Sequence, residues 1–151
     1  MNAVREHDVI LHVEDDANDV ELVQMAFRKA KAECRLLVVN DGDDAISYLK
    51  GDGAFGDRNT HPLPAVILLD VKLPRRSGLE VLEWVRSHTD TRLRRVPVLM
   101  LTSSNQPGDI ARAYDLGANS YLVKPADLGV LTELTRTIAS YWLKYNVSAG
   151  V

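Results

Sequence analysis

Five short apolar runs recur along the chain, Val9–Val13, Leu36–Val39, Ala65–Leu69, Val96–Leu101 and Ser120–Val123. Each is largely continuous rather than alternating, which suits a strand covered on both faces. Between them, apolar residues return every three or four positions. Val20, Val23, Phe27 and Ala30 do so, as do Leu79, Leu82 and Val85 after Gly78, and Ile110, Ala113 and Tyr114 after Pro107. The last stretch carries Leu128, Leu131, Leu134, Ile138, Trp142 and Tyr145, again the spacing of an amphipathic helix. Strand–helix alternation five times over predicts an α/β fold: a parallel sheet with helices on both faces, doubly wound by right-handed crossovers. Asp16 or Asn18 suits the cap of the first helix, Pro107 a first helical turn and Gly117 a helix stop. The 151 residues fit one domain, 1–151, with a sizeable core.

In such a sheet, ligands bind beyond the carboxyl ends of the strands. The long connection Gly51–Pro64, with three glycines and two prolines, falls at the opposite edge, before the third strand, and is expected to decorate the fold. Eighteen Lys and Arg against twenty-one Asp and Glu leave a charge of −3. That balance argues against nucleic-acid binding, which rests on a basic patch. No apolar run approaches the ~20 residues needed to cross a bilayer, and Met1–Asp8 has no apolar signal core. A cytoplasmic protein is expected. Cys34, the one cysteine, cannot form an internal disulfide, and His7, His12, His61 and His88 show no metal-ligand spacing.

Polar residues of related chemistry end four of the five runs. Glu14-Asp15-Asp16 follow the first, Asp70 the third, Thr102-Ser103-Ser104 the fourth and Lys124-Pro125 the fifth. All fall at the carboxyl edge. Glu14, Asp15 and Asp70 together would crowd like charges, which favours either protonation or a hard divalent cation. An oxygen-rich pocket with incomplete protein coordination suits Mg²⁺. Lys124 is a point charge suited to a phosphate, or a plain ion-pair partner of Asp70. Thr102 offers a hydroxyl, or simply ends a strand. An aspartate can act as a covalent nucleophile towards a phosphoryl group, with the cation and the lysine balancing charge. Asp70, alone at the end of a central strand, is the best placed nucleophile.

The segments Ile10-Leu11-His12-Val13-Glu14-Asp15-Asp16, Ile67-Leu68-Leu69-Asp70-Val71-Lys72-Leu73-Pro74, Gly78, Leu99-Met100-Leu101-Thr102-Ser103-Ser104 and Gly117–Pro125 resemble, in order and spacing, a response-regulator receiver domain. The resemblance covers about residues 8–145. It implies a flavodoxin-like (βα)5 fold with strand order 2-1-3-4-5. It also implies that Asp70 is the phosphoacceptor, and that Mg²⁺ is held by Glu14, Asp15, Asp70 and the backbone carbonyl of Lys72. Thr102 and Tyr121 match the switch pair, Thr102 moving towards the phosphoryl group and Tyr121 turning inward. Lys124 and the Ser103 backbone amide match the phosphate-binding groups, and the Lys124–Pro125 bond is usually cis in this family. The partner would be a sensor histidine kinase. No enzymatic turnover is implied beyond the domain's own phosphorylation and slow dephosphorylation.

More narrowly, the chain resembles the stand-alone regulators of phytochrome-type histidine kinases. The Gly51–Pro64 loop, Arg92-Leu93-Arg94-Arg95-Val96-Pro97-Val98 and the long last helix with its Tyr and Trp residues carry that likeness. With no effector domain in the chain, output would run through protein contacts. Val130 and Tyr141 lie off the main stripe of the last helix. Extra aromatic residues at a surface anchor interfaces, and the resemblance favours a homodimer through that helix and its neighbours. Lys72, two residues after the acceptor, departs from the polar uncharged residues common there. It would either pair with Glu14 or Asp15, or shield the acyl phosphate from water and slow its loss. An aspartyl-nucleophile phosphohydrolase would need a second aspartate where Lys72 stands. A module that had abandoned phosphorylation would lack an acid, the acceptor or the lysine, and all three are present.

Overall fold

In the structure, a computed structural model describing residues 8–149, five strands alternate with helices. The strands are β1 (Val9–Val13), β2 (Arg35–Val39), β3 (Val66–Leu69), β4 (Val98–Thr102) and β5 (Ser120–Val123). The helices are α1 (Ala17–Lys29), α2 (Gly42–Lys50), α3 (Gly78–Ser87), the single turn α4 (Thr91–Arg94), α5 (Pro107–Asp115) and α6 (Leu128–Ala139). All strand pairs are parallel, in the order β2-β1-β3-β4-β5. Ile10 faces Leu36 on one side and Val66 on the other.

Short polar side chains start the helices by accepting the free amides of the first turn. Asp16 does so for α1, Asp41 for α2, Ser77 for α3 and Asp127 for α6. Pro107 opens α5, and Gly117 follows it with φ +101°. Two hydrophobic layers sandwich the sheet. Ile10, Leu68, Leu99 and Leu101 meet Val23 and Phe27 of α1 and Leu131 and Ile138 of α6. On the other face Leu11, Val13, Leu69 and Met100 meet Leu49 of α2 and Leu82 and Val85 of α3.

Three expectations need correction, and one element was not expected. Continuous burial holds for β1, β3 and β4, while β2 and β5 are mostly half-buried, because they are the two edges of the sheet. The helix after β5 changes to a π-helical turn at Ser140–Tyr145, with the Asn146 amide bonded to the Tyr141 carbonyl. The turn α4 has no apolar periodicity and is missed by pattern reading. The Lys124–Pro125 bond is trans, like every described peptide bond; the trans preference before proline is small, and here it prevails. His7 lies outside the described residues.

Arginines organise the amino edge of the sheet. Arg58, in the loop between α2 and β3, donates to the carbonyls of Tyr48, Leu49 and His61, and Tyr48, Phe55 and His61 pack ring to ring. The loop thus lies away from the carboxyl edge, as expected. No helix among the described residues is long and apolar enough to cross a membrane.

Candidate functional site

Beyond β1, β3 and β5 the parallel ladder runs on for one residue, and that residue is the predicted site residue. The Glu14 amide bonds to the Val39 carbonyl, Asp70 to Val13, and Lys124 to Thr102. Three side chains are thereby fixed at one edge by backbone geometry alone. Glu14 and Asp70 are buried, at 1% and 7% exposure, and Asp15 faces solvent. Carboxylate oxygens of Glu14, Asp15 and Asp70 all lie within 4.8 Å of one another. This all-oxygen set fits a hard divalent cation, and the remaining open coordination suits Mg²⁺.

Lys124 supplies the counter-charge. Its Nζ donates to Glu14, to Asp19 Oδ2 at 2.8 Å and to Asp70 Oδ2 at 3.3 Å. Burial alone would lower the lysine's pKa, but its hydrogen bonds to Asp19 and Glu14 outweigh burial and hold it above the ordinary range. Burial pushes Glu14 up to about 7; its bond from Lys124 opposes that shift and the charge of Asp70 adds to it. Asp19 is a partner that the sequence reading did not single out. It sits in the first turn of α1, where acids are common for capping reasons, so type and position carry no separate signal. Asp16, by contrast, caps α1 through Asn18 and Asp19.

His12 is wholly buried two residues before Glu14, with neither ring nitrogen hydrogen-bonded among the described residues. Burial, followed by the nearby Lys124 charge, lowers its pKa to about 4, so it is neutral near pH 7.

Thr102 and Tyr121 meet at Ser104. Thr102 is 1% exposed, and its Oγ1 accepts from the Ser104 amide at 3.2 Å rather than bonding to Asp70. The Tyr121 ring already packs against the core, and its hydroxyl donates to the Ser104 carbonyl at 2.9 Å. Ser104 Oγ donates to Asp109 Oδ2 at 2.6 Å, which ties Thr102 and Tyr121 to the first turn of α5. Sequence reading passed over this hub because serine is common in loops. Ser103 is exposed next to it. Lys72 is exposed, and its amide points to Asp70 Oδ1 at 3.4 Å. Its side chain makes no ion pair with Glu14 or Asp15, so the pairing considered above does not form.

The response regulator receiver domain family matches residues 10–136. Response regulator Rcp1 of Synechocystis sp. is 36% identical over 136 residues, 90% of this chain and 89% of that protein. The crystal structure of the phosphorylated cyanobacterial phytochrome response regulator RcpA superposes with a TM-score of 0.85 at 33% identity, covering 95% of this chain and 99% of that one. The Mn²⁺-bound form of Rcp1 gives 0.82 at 34% identity, with the same coverage. Receiver domains take Mg²⁺ or Mn²⁺ at their acidic cluster, and the group Glu14, Asp15 and Asp70 is that cluster here. With the family pattern running through nearly the whole sheet and its carboxyl edge, the chain belongs to the response regulator receiver domains of two-component signalling.

Proposed function

We propose that this protein works in the cytoplasm as the phosphorylatable partner of a phytochrome-type sensor histidine kinase, and that Asp70 is the acceptor. The carrying observation is the grouping of three carboxylates within 4.8 Å beside a lysine held by Asp70, Glu14 and Asp19. A carboxylate oxygen of Asp70 attacks the phosphorus of the kinase's phosphohistidine. The O–P bond forms as the P–N bond breaks, and the electron pair returns to the imidazole nitrogen, which takes up a proton. Glu14, Asp15, Asp70 and the Lys72 carbonyl would hold Mg²⁺, which when bound offsets the charge on the phosphoryl oxygens. Lys124 turns from its acidic partners towards the phosphoryl group, joined by the Ser103 amide. Thr102 leaves Ser104 to meet the same group, and the populations of the Thr102, Tyr121 and α5 arrangements shift.

The phytochrome partnership draws support from end-to-end similarity to the phytochrome response regulator RcpA. Output is proposed through a homodimer formed by α6 and its neighbours, where Val130, Tyr141 and Tyr145 are exposed.

Incubation with Mg²⁺ and a small phosphodonor, followed by intact mass, is expected to give one phospho-adduct on the wild type and none on Asp70→Asn. An unmodified wild type would overturn the reading. Transfer from a purified bacterial phytochrome kinase is expected to change between red and far-red light; transfer indifferent to light would leave only the general kinase partnership.

A further inference from the structure

The loop between β3 and α3 carries Lys72, and it does not hold its shape alone. Arg75 sits in the left-handed region at φ +69°, an uncommon conformation for a residue with a side chain. Asp41 Oδ2 lies 3.3 Å from its Nε. The Pro74 carbonyl accepts from the Gly42 amide at 3.4 Å and from the Arg76 amide at 2.8 Å. Gly42 is where the two segments touch: a Cβ there would lie 2.1 Å from the Arg76 carbonyl oxygen. The nearest atom is backbone and the next, Arg76 Cβ at 2.7 Å, is fixed to that backbone, so no flexible side-chain end could give way. Just before it, Asn40 Nδ2 donates to the Glu14 carbonyl at 3.2 Å. The segment Asn40–Asp41–Gly42, leading into α2, therefore touches both sides of the acidic crevice: the backbone of Glu14 on one and the Lys72 loop on the other.

We propose that Asn40, Asp41 and Gly42 are positioning residues for the metal site, setting the spacing between the acidic pair and the Lys72 carbonyl. This rests on the divalent-cation reading above. Outer partners of this kind commonly carry about 10–100-fold in metal affinity, because they orient ligands they do not replace.

The sign of one substitution separates positioning from simple charge. Arg75→Gln removes a cation from a loop bordering the metal pocket. Electrostatics alone then predicts tighter metal binding; loss of positioning predicts weaker binding.

The test is a Mn²⁺ titration of the full chain, with free Mn²⁺ read by electron paramagnetic resonance and melting followed in parallel. Gly42→Ala and Arg75→Gln are each expected to bind Mn²⁺ about tenfold more weakly while still melting cooperatively. Unchanged or tighter binding by Arg75→Gln would overturn the proposal. If Gly42→Ala does not fold, Arg75→Gln decides alone. Asp15→Asn reports on the underlying reading: a wild type that binds no Mn²⁺, or binding indifferent to Asp15→Asn, would sink the metal site itself, and the positioning role with it.

Discussion

Gly78 shows how tightly the Asp70 backbone is held. A Cβ at this position would lie 1.8 Å from the Asp70 carbonyl oxygen, and the Gly78 amide donates to Val71 at 2.8 Å. Overpacking of this kind typically costs about 1–3 kcal/mol. Gly78→Ala is expected to lie at the top of that range in urea unfolding and to slow phosphorylation of Asp70. A change within about 0.5 kcal/mol, as for an ordinary surface site, would count against the contact. Cys34 gives a second test. Burial raises its pKa from 9.0 to about 11, so the folded protein holds about a hundredfold less thiolate at a given pH near 8. Iodoacetamide labelling at pH 8 is expected to be correspondingly faster in denaturant than in buffer; equal rates would refute the shift. Lys72, exposed and unpaired with Glu14 or Asp15, leaves shielding of the acyl phosphate as its expected effect. Lys72→Asn should shorten the lifetime of the phospho-adduct, measured by mass over time, and a longer lifetime would exclude shielding.

At the scale of elements, Arg86 of α3 joins the segments that feed β4 and β5. Its Nε donates to the Gly117 carbonyl at 2.9 Å, Nη1 to Arg94 and Val96 at 3.0 and 2.7 Å, and Nη2 to Asn119 Oδ1 at 2.8 Å. Burial lowers its pKa, and among the described residues no carboxylate pairs with it. Four acceptors are reached by one planar fork, which an ammonium cannot reproduce. Hydrogen bonds to a charged group are worth about 1.5–3 kcal/mol. Arg86→Lys is therefore expected to cost about 2 kcal/mol with an unchanged denaturant slope, and a loss near zero would show the network to be idle. None of this is legible in the sequence: a single arginine in a helix's last turn looks like a favourable partner of the helix dipole. The same holds for Asp19, whose partner Lys124 comes from an element distant in sequence, and for the bond of Tyr121 to Ser104.

For the molecule as a whole, the last helix divides its residues between two tasks. Leu131 and Ile138 are buried and Trp142 packs against the same layer, while Val130 is 56% and Tyr145 68% exposed. Tyr145, grouped by spacing with the buried stripe, leaves it because the π-helical turn alters the angular step after Ala139. If the exposed set forms the proposed dimer, truncating or charging a central anchor should cost more than about 1 kcal/mol of association. Val130→Glu is expected to weaken self-association in sedimentation equilibrium about tenfold, with the melting temperature unchanged. A wild type monomeric at high micromolar concentration, phosphorylated or not, would remove the dimer.

Local pattern alone determined the parallel α/β architecture, the three central strands and the identity of Glu14, Asp15, Asp70, Thr102 and Lys124 as edge residues. Each of these follows from periodicity and from the rule that ligands bind beyond the carboxyl ends of parallel strands. Tertiary structure decided the rest. It set which acids meet Lys124, tied Tyr121 to Ser104 and placed Asp41 and Gly42 against the Lys72 loop. These depend on distances between segments far apart in the chain, and such distances are set by the packing of helices on the sheet, which no local spacing of residue types encodes.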